Sequence, residues 1–216
     1  MSQKEWSRSQ VAAAHNYTKH YDLTCEHHKI FSKWLEQKFI NKQTSIFDIG
    51  SGNSNAMNYI DERHKYTGVD INQAAIDFAQ KHKKNNCLFL LQDIEEELSQ
   101  QTVQEIENCD VCYIDSVFTM LENPAKVLQE ILIPNFDIIF LGRTKFMNEN
   151  TVKTKHRWAG MEKESTLWVF NKKFFEDITQ DTEHTCKFIG DINDHNKNLS
   201  RIIISKTYND MSAWIT

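Results

Sequence analysis

The 216-residue sequence has no apolar run approaching the roughly 18–20 residues that a membrane helix needs. It has no long basic run, and its net charge is −5. A duplex nucleic-acid binder needs a clustered basic face, so nucleic acid is not an expected partner. The five cysteines are odd in number and have no framework spacing. They read as reduced thiols in a cytoplasmic protein. Internal repeats and low-complexity linkers are absent, and the polar start Met1–Ser7 gives no sign of a secretory leader. No metal site is expected. The Cys109-x-x-Cys112 pair invites a redox or zinc reading, but strand residues three apart point to opposite faces, which argues against a meeting of the two thiols.

Hydrophobic residues make up 40% of the chain, enough for a core. Its length fits one domain with a small appendage. The central stretch is Ser45–Asn55. The apolar run Ile46-Phe47-Asp48-Ile49 reads as a buried strand, Gly50 and Gly52 follow, and Asn55–Ile60 can open a helix. Strand, glycine turn and helix start together make a nucleotide-binding corner. Glycine lets the backbone approach a ligand closely, and a helix start offers free N–H donors.

The strand Tyr66–Ile71 carries Asp70, at the spacing after Asp48 where an acid meets ribose hydroxyls. One carboxylate accepts from two hydroxyls at once. Residues 72–83 read as a helix with Ala75, Ile76, Phe78 and Ala79 inward. Cys87–Leu91 reads as a third strand. Asp93 lies just past it, either accepting from an adenine amino group or capping an acidic helix over Glu95–Leu98.

A fourth strand covers Asp110–Asp115. Asn123-Pro124 opens a helix over residues 125–131, and a fifth, continuously apolar strand covers Asn135–Gly142. Residues 143–168 read as a long, poorly periodic functional loop with Arg143, His156, Arg157 and Trp158. That mixture of cation and aromatic suits an anionic or sugar acceptor. A helix capped by Asn171 and a hairpin of two strands, 186–190 and 201–206, complete the chain. Residues 1–44 read as helical. Tyr17 and Tyr21 share a helix face and either cover the core edge or close over the glycine corner.

This order of alternating βα units and a terminal hairpin, with Asp48-x-Gly50-x-Gly52, Asp70 and Asp93, resembles the class I S-adenosylmethionine-dependent methyltransferases over about residues 45–208. Ser54 replaces the family's third glycine. The resemblance implies a Rossmann-like α/β fold with a seven-stranded, mostly parallel sheet ending in an antiparallel hairpin. It divides the chain into an N-terminal helical lid or cap, 1–44, and a cofactor-binding domain, 45–216. The expected cofactor set joins Tyr17 and Tyr21, from their shared helix face, to Asp48, Gly50, Ser51, Gly52, Asn55, Asp70, Ile71, Gln92, Asp93, Ile94, Asp115 and Ser116, on which the resemblance bears. In it Gly50 and Gly52 lie against the methionine part, Asp48 acts on the amino group, Asp70 on the ribose and Asp93 beside the adenine. Asp115, His156 and His20 are the candidate catalytic bases. Arg143, His156, Arg157 and Trp158 are the candidate acceptor contacts.

Val117–Pro124 looks like the branch that modifies small molecules. Phe140–Thr144 with the Trp-rich segment after it is similar to bacterial methyltransferases linked to surface-polysaccharide genes. The reading is methyl transfer to oxygen or nitrogen of a small molecule, with sugars and surface-polysaccharide precursors among the acceptors. Two other classes compete. A nicotinamide-dependent oxidoreductase would need glycine or alanine where Asn55 stands. An inactive binding protein would have no reason to keep all three acids.

Overall fold

The computed structural model describes residues 26–156, 165–194 and 197–206. Helix α1 (Glu26–Lys38) leads into β1 (Ser45–Ile49). Then come β2 (Lys65–Asp70), α2 (Gln73–His82), β3 (Cys87–Leu91), α3 (Gln100–Glu107) and β4 (Val111–Asp115). A helical segment α4, residues 124–135, precedes β5 (Ile138–Lys145). The hairpin β6 (Val152–His156) and β7 (Ser165–Val169) is followed by α5 (Lys172–Thr179), β8 (Thr185–Asp194) and β9 (Lys197–Ser205).

Seven strands form one sheet in the order β3-β2-β1-β4-β5-β9-β8, parallel from β3 to β5 and antiparallel from β5 to β8. Chain direction across the sheet reverses its order between β1 and β4. That is the switch point where open α/β sheets leave a crevice at the strands' carboxyl ends. The two inner strands are apolar on both sides because helices cover both faces. On one face Ile46, Tyr66, Val111, Tyr113 and Phe140 pack under α1 and α2. Phe31 of α1 stacks on Tyr113 with ring centroids 3.9 Å apart. On the other face Phe47, Val69, Cys112, Ile114 and Leu141 pack against α3, α4 and α5.

Several local expectations change. The described parts of 143–168 are not an irregular loop: β5 runs on to Lys145, and β6 pairs with β7 from Val152↔Val169 to His156↔Ser165. β6 is Val-Lys-Thr-Lys-His and β7 is Ser-Thr-Leu-Trp-Val, neither with the apolar–polar alternation by which a strand is read from sequence. The glycine corner opens only one 3-10 turn, Asn55–Asn58. Glu95–Leu98 is not helical: a turn covers Ile94 and Glu95, with Asp93 Oδ1 accepting from Glu95 N, and α3 begins at Gln100 under a Ser99 cap. Phe78 is on the outer side of α2.

Pro134 does not end α4, because a π turn over Val127–Leu132 precedes it and the chain stays helical to Asn135. β5 therefore starts at Ile138 rather than Asn135. Cys109 and Cys112 are both free and pack in the same cluster, because Cys109 precedes the strand and escapes its alternation.

Candidate functional site

The corner after β1 is tightly built. Gly50 has φ 74°, and a Cβ there would come within 2.2 Å of Val117 Cγ2. Gly52 has φ 53°, and a Cβ there would meet nothing within 4 Å. The first glycine thus admits the segment after β4, while the second leaves its surroundings clear. Ser54, at the third glycine position, adopts φ 58°, a left-handed conformation that costs a non-glycine residue on the order of 1 kcal/mol or more. The Ser51 hydroxyl is buried with no hydrogen-bond partner among the described residues.

Asp70 closes the corner. Its Oδ2 accepts from Gly52 N at 2.8 Å and its Oδ1 from Asn72 N at 2.8 Å. Burial pushes its pKa up, and these backbone donors offset part of that. Each oxygen keeps a second lone pair, so the carboxylate can still accept from a ligand. Asp48 is buried on the sheet face below and accepts from the Tyr66 hydroxyl. Burial raises its pKa to about 8; Tyr66 opposes the shift, and Asp115 and Asp70 add to it.

A cleft opens beside this corner. It is lined by Gly50, Asp70, Ile71, Gln92, Ile94 and Val117 together with Ile49, Val69 and Met120, and holds about 430 Å³ of empty space, its open mouth included. Asp48, Ser51, Gly52, Asn55, Asp93, Asp115 and Ser116 are not among its lining residues, and Asp93 borders a separate acidic groove with Glu95, Glu122 and Glu130. Gln92 lines the cleft but spends its amide locally, accepting from Ser99 N and donating to Asp93 O and Glu97 O.

The ends of β4 and β5 hold a charged cluster. Asp115 pairs across the sheet with Gly142, where a Cβ would come within 2.4 Å of Asp115 Oδ1. The register of β5 against β9 shifts between Leu141 and Thr144, and within that bulge Arg143 has φ 43°. Such bulges re-aim a side chain. Arg143 Nε donates to Asp115 Oδ2 at 2.8 Å, and an Nη donates to the same oxygen. Ser116, next along, has φ 65° and donates its N–H to Gly142 O.

From α1, His27 Nε2 lies 3.4 Å from Asp115 Oδ2, and His28 Nδ1 lies 3.0 Å from the Tyr113 hydroxyl. Burial pushes the Asp115 carboxyl up, but Arg143, His27 and His28 together outweigh it and hold the pKa below the usual carboxylate range. Burial lowers His28 to about 3, so it is neutral at pH 7; Asp115 opposes this, while His27 and Arg143 reinforce it.

The structure thus brings together two of the chosen residues, Asp115 and Arg143, and adds two that the sequence reading missed. His27 and His28 lie on a helix outside the βα pattern, and no local motif marks them. His156 ends β6. His20, Tyr17, Tyr21, Arg157 and Trp158 lie outside the described residues.

Residues 40–211 match the family model described as a methyltransferase domain. The chain belongs to this family. No curated protein sequence matches it. Among solved structures it is similar to a complex of DhpI with SAM and HEP, at 10% identity and TM-score 0.66 over 94% of this chain and 95% of that one. It is similar to the N-terminal domain of EvdMO1 in the presence of SAH and D-fucose, at 10% identity and TM-score 0.63 over 82% and 81% of the two chains. It also resembles the plantazolicin methyltransferase BpumL in complex with a pentazolic desmethylPZN analog and SAH, at 18% identity and TM-score 0.62 over 94% and 95%. At these identities the shared property is the fold. The seven-stranded Rossmann-like sheet is thus that of a methyltransferase, and among the described residues no helix is long and apolar enough to cross a membrane.

Proposed function

We propose that this enzyme transfers a methyl group from S-adenosylmethionine to an oxygen or nitrogen of a small molecule, with a sugar or surface-polysaccharide precursor as the acceptor class. One observation carries this reading. The contact of Gly50 with Val117 joins the glycine corner to the segment that follows Asp115, so the cofactor cleft and the charged cluster adjoin.

The cofactor is S-adenosylmethionine, and the residues fit it. The carboxylate of Asp70 at the cleft wall suits the ribose, and the space beside Gly52 and the unpartnered Ser51 hydroxyl suit the methionine part. Ile71, Gln92 and Ile94 suit the base as wall residues. S-adenosylmethionine supplies the methyl carbon on a sulfonium and leaves as S-adenosylhomocysteine.

The chain's own work is to bind, align and exclude water. Arg143 presents a guanidinium to an anionic or hydroxyl-rich acceptor, and Asp115 holds that guanidinium in place. On this reading α1 is the packed base of the acceptor side and β6–β7 its body, while residues 1–25 and 157–164 of those two segments lie outside the described residues. The presence of D-fucose with the similar EvdMO1 domain favours the sugar class. The free thiols Cys87, Cys109, Cys112 and Cys186 fit a reducing cytoplasm.

Turnover with labelled S-adenosylmethionine and a panel of sugars, sugar nucleotides and small acids tests the proposal. Labelled product from a sugar-type acceptor, reduced at least tenfold in Arg143→Met, is expected. Labelling of only non-sugar acceptors would overturn the acceptor class, and failure to bind S-adenosylhomocysteine would overturn the whole reading.

A further inference from the structure

We propose that His27, His28 and Asp115 form a binding site for one divalent first-row transition-metal ion at the acceptor end of the cleft. One ligand atom from each lies within 4.8 Å of the other two. Bonds of about 2.0–2.2 Å place ligand atoms about 3.3–3.6 Å apart at a tetrahedral angle. His27 Nε2 and Asp115 Oδ2 are already 3.4 Å apart. That is the spacing of two ligands around an ion, and it is longer than the ~2.7–2.9 Å of a charge-assisted hydrogen bond.

The surroundings match a ligand site in two further respects. Asp115 is buried, and its Oδ1 has no hydrogen-bond partner among the described residues. A buried carboxylate oxygen without a donor is costly unless something positive reaches it. The Tyr113 hydroxyl meets His28 Nδ1 at 3.0 Å, which fixes the ring as the outer partners of ligating histidines do and leaves Nε2 as the nitrogen for an ion. The two imidazoles lie with ring centroids 4.1 Å apart, so one ion can reach both.

Two imidazoles and a carboxylate select zinc, cobalt, nickel, iron or manganese over magnesium and calcium. Three protein ligands also leave a position open for an oxygen or nitrogen of the acceptor. In that respect the inference rests on the proposed acceptor side, but ion binding itself does not depend on methyl transfer. Arg143 works against the ion: its guanidinium holds Asp115 Oδ2 and repels a second cation. Its removal therefore strengthens ion binding, an effect opposite to that of losing a ligand. The sequence reading expected no metal site, because the three ligands are split between a helix before the sheet and the end of its fourth strand.

Chelator-treated, full-length protein is titrated with Co²⁺ and followed by its visible d–d absorption, then with Zn²⁺ by calorimetry. One ion of each per chain is expected, with Zn²⁺ displacing the Co²⁺ bands. His27→Gln and His28→Gln each weaken Co²⁺ binding by at least about tenfold, on the scale of lost metal-site partners, while Arg143→Met tightens it. Affinity for S-adenosylhomocysteine, measured on each variant, shows that the fold is retained. Absence of the bands in the wild type, or Co²⁺ affinity unchanged in both histidine variants, overturns the site. Neither outcome bears on methyl transfer, which the labelled-product assay reads separately.

Discussion

Asp48 shows what a buried acid does at the end of β1. Its pKa is raised to about 8 by burial, with Tyr66 opposing and Asp115 and Asp70 reinforcing. Through the window between the ordinary carboxylate value and about 8, the folded chain keeps a proton that the unfolded chain has released. This group's contribution to stability is therefore greatest below the unfolded value and falls as pH rises through that window. Asp48→Asn should flatten that part of a urea-midpoint profile between pH 5 and pH 8. If the cofactor's amino group meets Asp48, binding favours the charged form and releases a proton at pH 7. Calorimetry of S-adenosylhomocysteine binding in buffers of different ionisation enthalpy reads that release, and Asp48→Asn should abolish it. Asp70 has a double load, bracing Gly52 and Asn72 and facing the cleft. Asp70→Ala removes charged hydrogen bonds worth about 1.5–3 kcal/mol each. It should weaken S-adenosylhomocysteine binding by at least tenfold and also lower the unfolding midpoint. An unchanged dissociation constant by calorimetry would reject the ribose role.

At the scale of elements, α1 is the piece whose importance exceeds its motif content. Phe31, Trp34 and Leu35 are buried in the cluster under β1, β4 and β5, and the same helix delivers His27 and His28 to Asp115. Phe31→Ala should cost about 3–5 kcal/mol, as large-to-small core changes do, and should loosen the histidine pair along with the core. Urea unfolding measures the first effect, and the second appears as weaker Co²⁺ binding. The hairpin β6–β7 is tied down by Trp168 Nε1, which donates to Leu121 O at 2.9 Å, and by Lys153 against Glu122. It therefore sits beside the segment after β4. Hydrogen exchange with and without S-adenosylhomocysteine should show added protection in residues 10–25 and 143–168. Equal exchange in both states would remove the idea that these segments close over the cofactor.

For the whole molecule, the sheet order and the crevice at the strands' carboxyl ends make a cofactor site with one nucleotide half. S-adenosylhomocysteine at about a hundred times its dissociation constant should add ~2.7 kcal/mol, or roughly 5–10 °C in the melting temperature for a chain of this size. NADH should add nothing. The reverse result would restore the oxidoreductase reading.

Much of this was legible in the sequence because it is local. The five parallel strands are short apolar runs, and chain order plus strand burial largely dictate a sheet of this kind. Gly50, Gly52 and Asp70 sit within the single short unit of β1, its crossover and β2, so their spacing carries their meaning. Local signals misled where one element imitates another: a polar hairpin reads as a loop, and a π turn lets a helix run through Pro134. What only the tertiary structure decided is the pairing of distant residues. Arg143 reaches Asp115 because a bulge in β5 turns it inward, and His27 and His28 reach Asp115 because Phe31 seats α1 on Tyr113. Neither meeting leaves a trace in spacing, since each depends on how a strand edge and a helix face are packed rather than on any run of neighbouring residues.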